Sequence, residues 1–224
     1  GSNASNIKTT AVKQGDKYIL NGSKHYITNA VDGHIFTVMA VTDPEKGARG
    51  ITSFIVEKDF PGFVLGKVEE KMGLRGSHSA ELFFENMEVP AENVLGEEGQ
   101  GYINALKILA TGRAGLAARN LGSCVKLLEH SLEYAAEREQ FGKPLIDIQA
   151  IQHMIADMSM QIEALRSLTY RVAWMADQKQ RVVKEAAMAK LYGSEVYNRV
   201  ADMAVQIHGG MGYVKDYPIE RYYR

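Results

Sequence analysis

Apolar positions change their period once along this chain, near Pro90. Before it they fall in short alternating runs: Ile7 to Val12, Tyr18 to Leu20, Ile35 to Val41, Ile51 to Val56 and Leu82 to Val89. These runs are rich in Ile, Val, Phe, Tyr and Thr, and alternation at a period of two turns one face of each strand to a core. Gly15-Asp16, Asn21-Gly22, Asp32-Gly33 and Pro61-Gly62 punctuate them as turns. After Gly101 the period becomes helical. Tyr102, Leu106 and Leu109 begin a stripe that Leu121, Cys124, Leu128, Leu132 and Ala135 continue, and Gly142 and Pro144 stop it. Unbroken, such a helix is roughly 60 Å long at 1.5 Å per residue. A second helix carries Ile151, Ile155, Met158, Ile162, Leu165, Thr169, Val172 and Ala176, the alternating spacing of a bundle seam, with Asp147 as its N-cap. A third runs from about Val183 through Ala187, Leu191, Val196, Val200 and Ala204 to Ile207. The pattern predicts an α+β chain, with a small antiparallel β-barrel or sandwich over residues 1–92 and an antiparallel helical bundle over residues 93–224.

Composition narrows the chemistry mainly by exclusion. A chain of 224 residues buries on the order of 70% of its unfolded surface and needs no disulfide staples. Its single cysteine, Cys124, sits in an apolar helical stretch and reads as an inert core thiol, in keeping with a reducing compartment. Lys plus Arg number 26 against 27 for Asp plus Glu, a net charge of −1, which gives no support for nucleic acid as a bulk partner. No apolar run approaches the roughly 18 residues of a membrane span. The amino end shows no signal-peptide core and no Arg-rich transit pattern. His25, His34, His78, His130, His153 and His208 show no metal-ligand spacing, and there is neither a Cys pair nor a G-x-S-x-G elbow.

Two segments carry phosphate chemistry in one reading and ordinary helix ends in another. Gly209, Gly210 and Gly212 follow a helix, where glycines cap C-termini. They also let backbone N–H groups approach a diphosphate closely, with Gln206 one turn earlier placed to bond a nucleotide. Arg138 stands among Glu133, Glu137 and Glu139, which is either a solvated face with local ion pairs or a guanidinium fork for a phosphate. The glycines of Glu92 to Gly101 are no dinucleotide fingerprint, because no βαβ unit surrounds them.

In this order and spacing, Arg138 to Pro144 and Gln206 to Tyr213, followed by Pro218 to Arg224, resemble the flavin-diphosphate clamp of the acyl-CoA dehydrogenase family. Asn21 to Asn29, Lys71 to Ser77, Ala80 to Pro90 and Glu92 to Gly101 extend the resemblance across nearly the whole chain. It implies FAD as cofactor, an acyl-CoA thioester as substrate, the trans-2-enoyl-CoA as product and an electron-transferring flavoprotein as acceptor. Tyr26, Ile27 and Thr28 are implied to lie beside the flavin ring, Tyr26 standing where the family usually has tryptophan and Thr28 near flavin N5. Arg138, Gln140, Phe141, Gln149, Gln206, Ile207, His208, Gly209 and Gly210 are implied to hold the diphosphate and adenine side. Gly1 to Ala4 resembles the family's Gly-Ser-Asp-Ala motif, with Asn3 replacing the aspartate and Ser2 touching flavin or thioester; the alternative is a cloning scar.

The resemblance also locates what this sequence does not supply. Most of the family places its catalytic glutamate shortly after Tyr-Tyr-Arg-Asp, which here falls after Arg224. A minority places it on the long helix just before an arginine, where this chain has Gly112 before Arg113. Glycine is no base, so the majority location is implied. Gly112 then leaves room for an acyl chain and Arg113 orders the thioester site; otherwise the pair is a helix kink and a buried ion pair. The expectation is a segment of a longer enzyme that lacks the base and the N-terminal helical domain and does not dehydrogenate acyl-CoA alone. Family members bind flavin across subunits through the Arg138 and Gln206 elements, which implies a homotetramer. An acyl-CoA oxidase or nitroalkane oxidase on the same fold, and a non-catalytic scaffold, are the competing readings. The implied compartment is the bacterial cytoplasm or the mitochondrial matrix.

Overall fold

The computed structural model describes residues 3–224, so Ser2 lies outside the described residues. The chain divides into two compact units, Gly1–Lys107 and Ile108–Arg224. The first is built on strands β1 (Thr10–Gln14), β2 (Lys17–Thr28), β3 (Ile35–Val41), β4 (Ile51–Glu57), β5 (Phe63–Val68) and β6 (Ser79–Pro90). They form one sheet in the order β4-β3-β1-β2-β6-β5. Neighbours are antiparallel except β1 and β3, which meet in parallel at Thr10 and Val41. The expected barrel is not closed. After β2 the chain crosses to the far side of β1, so β3 runs parallel to β1, and β4 and β5 remain as edges.

Alternation does most of the work in this sheet. Phe36, Val38 and Ala40 on β3, Phe54 and Val56 on β4, and Ala80, Leu82 and Phe84 on β6 all point to one core. On β6 the phase then slips by one residue, and Met87 and Val89 are the buried pair. A bulge absorbs the slip: pairing passes from Gly22 with Phe84 to Leu20 with Met87, and Asn86 takes a φ of 50°. The Asn21 side chain holds the bulge, accepting from the Asn86 N–H at 2.8 Å and donating to the Asn86 Oδ1 at 3.1 Å. Asn21-Gly22 is therefore no turn. β2 runs straight through it because Gly22 adopts a φ of 137°, and a Cβ there would stand 2.8 Å from the Thr9 Cα. Phe54 is fully buried, with Tyr18 edge-on at 5.0 Å; truncating it to Ala costs about 3–5 kcal/mol.

Helix α1 (Gly101–Glu137) starts in the first unit and continues through the second. It runs uninterrupted as helix past Gly112. It ends five residues before Gly142. Residues 139–144 form a tight hairpin instead, β7 (Glu139–Gln140) and β8 (Lys143–Pro144), with Phe141 at φ 56° and Gly142 at φ 75°. Two successive positive φ angles are the signature of a type I′ turn. Asp147 lies in a 3-10 turn, and the N-cap of α2 (Gln149–Asp177) is Ile148, which makes no side-chain cap bond. Helices α3 (Val183–His208), α4 (Gly210–Tyr213) and α5 (Ile219–Tyr223) complete the chain. Met158, Ile162 and Leu165 of the predicted α2 seam are buried against Leu121, Cys124 and Leu127 of α1 and Val196, Val200 and Ala204 of α3. Gly193 permits close approach, since a Cβ there would lie 3.1 Å from the Leu165 Cδ1. Among the described residues no helix is long and apolar enough to cross a membrane.

Candidate cofactor site

The helical unit brings the ends of α1 and α3 together around three rings. His208 stacks on Tyr134 at 4.5 Å, and Tyr217 stands edge-on to both, at 5.9 Å from Tyr134 and 6.0 Å from His208. The His208 Nδ1 donates to the Ala204 carbonyl at 2.8 Å, which leaves Nε2 as an acceptor, buried and without a partner. Burial is the main cause of a lowered pKa, so the imidazole is held neutral. One turn beyond Tyr134 comes Arg138. The hairpin folds back on it, with the Leu145 N–H donating to the Arg138 carbonyl at 2.8 Å. On the facing side α3 breaks at Gly209, whose φ of 55° and ψ of −132° belong to glycine alone.

These ends enclose a slot of about 480 Å³ lined by Tyr134, Arg138, Gln140, Leu145 and the run Ile207 to Met211. Its charge and shape suit an anion. Among the described residues Arg138 makes no ion pair; the Glu133 carboxylate lies 3.7 Å from the His130 Nδ1. The local ion pairs considered for this arginine are thus not formed. A Cβ on Gly209 or Gly210 would meet nothing within 4 Å, so the space above that backbone is open. An unpaired guanidinium fork beside bare backbone fits a diphosphate, and the flat aromatic wall fits the neighbouring ring of a nucleotide.

Of the residues expected on this side, Arg138, Gln140, Ile207, His208, Gly209 and Gly210 line the slot together. Phe141, Gln149 and Gln206 do not. Phe141 projects from the hairpin tip, 93% exposed; Gln149 is exposed at the start of α2 and Gln206 on the last turn of α3. Tyr134, Leu145 and Met211 were not anticipated. Tyr134 was the findable one, because it sits four residues before Arg138 on the same helical face. Gly112 has open space around it, and Arg113 beside it is half-buried. Neither lines the slot.

The β unit presents a separate feature at the end of β2. Pairing with β6 passes from Lys24 with Leu82 to Ile27 with Ala80, so His25 and Tyr26 together face Glu81. Tyr26 adopts a φ of 55° and leaves its ring 69% exposed. A left-handed aromatic residue costs of order 1–3 kcal/mol and is kept only where the surroundings impose it. Ile27 anchors the segment by packing on the sheet core, while Thr28 pairs with Ser79 and stays exposed. The Asn29 N–H donates to the His78 carbonyl at 2.7 Å and pins the end of the strand. Tyr26 and Thr28 are thus displayed on a rigid backbone, and Ile27 can meet a ligand only through its main chain.

Comparison with known proteins places both units in one family. Residues 1–87 match the model for the acyl-CoA dehydrogenase middle domain, and residues 99–224 match that for the C-terminal domain. The chain is 47% identical over its whole length to an acyl-CoA dehydrogenase of Bacillus subtilis (strain 168), of which it covers 59%. Butyryl-CoA dehydrogenase from Megasphaera elsdenii superposes with a TM-score of 0.96 at 47% identity, covering 100% of this chain and 58% of that one. A chain from a structure described as the electron transferring flavoprotein of Acidaminococcus fermentans gives 0.97 at 49% identity, covering 100% and 59%. The chain spans somewhat under two thirds of the length of these relatives. With both family domains matched end to end on one chain, it belongs to the acyl-CoA dehydrogenase family, whose members are FAD-dependent flavoprotein oxidoreductases.

Proposed function

We propose that this chain is part of an FAD-dependent enzyme that dehydrogenates an acyl-CoA thioester between its α and β carbons. The observation that carries this reading is the slot lined both by the unpaired Arg138 and by the open backbone at Gly209 and Gly210. When bound, FAD supplies the acceptor for the hydride leaving the β carbon. Arg138 would offer its guanidinium fork to a phosphate, and Gly210 would let that phosphate reach the main chain. Tyr134 and His208 hold the two helix ends at a fixed separation, so the slot does not have to be organised on binding. By the family resemblance Tyr26 would shield the ring side from water, and Thr28 would offer it a hydroxyl and an N–H.

Gly112 carries no carboxylate, so it is not the acceptor of the α proton. The resemblance supports an arrangement in which the slot of one copy and the Tyr26 segment of another serve the same FAD, within a homotetramer. Exposed Met160, Tyr170 and Trp174 along α2 support such an assembly. An electron-transferring flavoprotein is the proposed acceptor, in line with the description of the Acidaminococcus fermentans structure.

The test is anaerobic addition of acyl-CoA thioesters to the purified FAD-loaded protein in its full length. Bleaching of the flavin band, slow return in air and rapid return with an electron-transferring flavoprotein are expected. A protein that takes up no FAD rejects the reading, and fast turnover with oxygen assigns an oxidase instead.

A further inference from the structure

The sheet gathers a second constellation that no sequence spacing reveals. His25 of β2, Glu81 of β6 and Glu69 just beyond β5 come together on its outer face. Two bulges make this possible. β2 bulges between Lys24 and Ile27, and β5 between Leu65 and Val68, both opposite Glu81. Ala80 and Leu82 are buried, so Glu81 points outward between the two bulges. The His25 Nδ1 lies 2.8 Å from the Glu81 Oε1, and its Nε2 lies 3.8 Å from the Glu69 Oε1. One donor atom from each residue falls within 4.8 Å of the others.

We propose that His25, Glu69 and Glu81 bind one divalent transition-metal cation of the Zn²⁺ class. The 3.8 Å contact of Glu69 with the ring is no hydrogen bond, so its carboxylate is free to turn to an ion held by Nδ1 together with Glu81, and such an ion offsets the repulsion between the two carboxylates. The donor atoms lie at most 4.8 Å apart, with His25 Nδ1 and Glu81 Oε1 at 2.8 Å, so closing on one ion with bonds of about 2.1 Å needs side-chain shifts on the order of 1 Å. A mixed imidazole and carboxylate set favours Zn²⁺ over Mg²⁺ or Ca²⁺, with water in the fourth position.

The local cations leave room for it. Lys67 approaches the other oxygen of Glu69, Oε2, at 3.4 Å. Lys71 is turned to the Ser77 carbonyl and Arg75 to the Lys71 carbonyl. Glu69 also borders a cavity of about 590 Å³ shared with Val68, Glu70, Lys71, Arg75 and His78, which gives an ion a way in. The Tyr26 ring packs edge-on at 3.8 Å against His25. A bound cation therefore stiffens the bulge that displays Tyr26, a consequence that, unlike the site itself, rests on the flavin reading.

The experiment is calorimetric titration of the purified, chelator-treated protein with ZnCl₂, alongside the visible spectrum with Co²⁺. Saturable binding of one Zn²⁺ per chain is expected, weakened at least ~tenfold by each of His25→Ala, Glu69→Gln and Glu81→Gln, and unchanged by His34→Ala. Mg²⁺ gives no saturable heat. Co²⁺ gives a ligand-field band that His25→Ala abolishes. Unchanged binding in all three variants, or no saturable Zn²⁺ binding and no Co²⁺ band in the unsubstituted protein, overturns the proposal. The presence or absence of the Co²⁺ band in the unsubstituted protein needs no variant to fold. Metal uptake is measured apart from flavin, so its failure leaves the FAD assignment standing.

Discussion

Gly210→Ala separates the binding role of the slot from its folding role. The residue opens α4 with an ordinary φ, and a Cβ there would meet no protein atom within 4 Å. Replacing glycine by alanine in a helix stabilises by up to ~1 kcal/mol, less at a terminus. The ligand-free protein should therefore melt at the same temperature or slightly higher. The new methyl does, however, occupy the space in which a phosphate would contact the main chain. Forcing a methyl into a filled contact costs about 1–3 kcal/mol, which is a ~5- to ~150-fold loss of FAD affinity. Gly209→Ala is the contrasting case. Its φ of 55° and ψ of −132° make any side chain strained by about 1–3 kcal/mol, so the melting temperature itself should drop by several degrees. Calorimetry of the FAD-free proteins and a flavin-fluorescence titration measure the two effects. If Gly210→Ala binds FAD as well as the parent while its stability holds, the backbone at 210 does not touch the cofactor and the slot assignment fails.

The same geometry sets three further outcomes. Arg138→Ala removes a charge-assisted fork worth about 1.5–3 kcal/mol, so FAD affinity should fall ~10- to ~150-fold and lose part of its salt dependence; Arg138→Lys should fall between, since it keeps charge without the fork. His208 is buried neutral, its pKa lowered mainly by desolvation from the ordinary 6.5. The unfolded chain therefore takes up a proton first, so this residue's contribution to stability is full above 6.5 and is lost as pH falls towards the folded value. Denaturant midpoints of the parent and His208→Leu, compared at about pH 7.5 and about pH 5.5, should show a smaller acid loss in the variant. Cys124 is fully buried and its thiol is pushed up to about 12 by desolvation. A thiol reagent should leave the native protein unlabelled and label its single cysteine on unfolding; rapid native labelling would contradict the packing around α1.

Much of the fold is legible because local pattern and final packing agree. The middle of the α2 seam, Met158 to Val172, and the C-terminal half of α3, Val196 to Ile207, can be written from spacing, because the bundle buries those positions; at the start of α3 the predicted Val183, Ala187 and Leu191 are exposed and the small Ala186, Ala189 and Gly193 are buried in their place. The sheet is harder to anticipate where tertiary contact overrides local chemistry. Asn21-Gly22 has the composition of a hairpin turn, yet the Asn21 side chain is spent on bracing Asn86, and Gly22 is needed for its close approach to Thr9. β5 escapes notice because Gly66 and Lys67 interrupt its alternation at the bulge opposite Glu81. Openness of the sheet is not written in any one strand. It arises from β3 crossing to the far side of β1, a long-range choice that turn residues do not encode.

The site divides along the same line. Arg138 and Gly209 stand out in the sequence only through their resemblance to a clamp, because a helical arginine among glutamates and a glycine-capped helix each have an ordinary explanation. What decides between these explanations is where the charge goes. None of Glu133, Glu137 and Glu139 pairs with Arg138, so the guanidinium keeps its charge and the fork is left for something outside the protein. The same reasoning explains why Tyr134 matters as much as the arginine. Its stack on His208 joins two helix ends about seventy residues apart in the chain, and without it Arg138 and Gly210 would face each other only transiently. The bound anion would then have to supply the ordering cost, and affinity would fall even with every contact residue intact. Tyr134→Ala should therefore weaken FAD binding while leaving its salt dependence as in the parent, whereas Arg138→Ala lowers both. A Tyr134→Ala protein that binds FAD with undiminished affinity would show that the slot is shaped by its ligand, not by the aromatic stack.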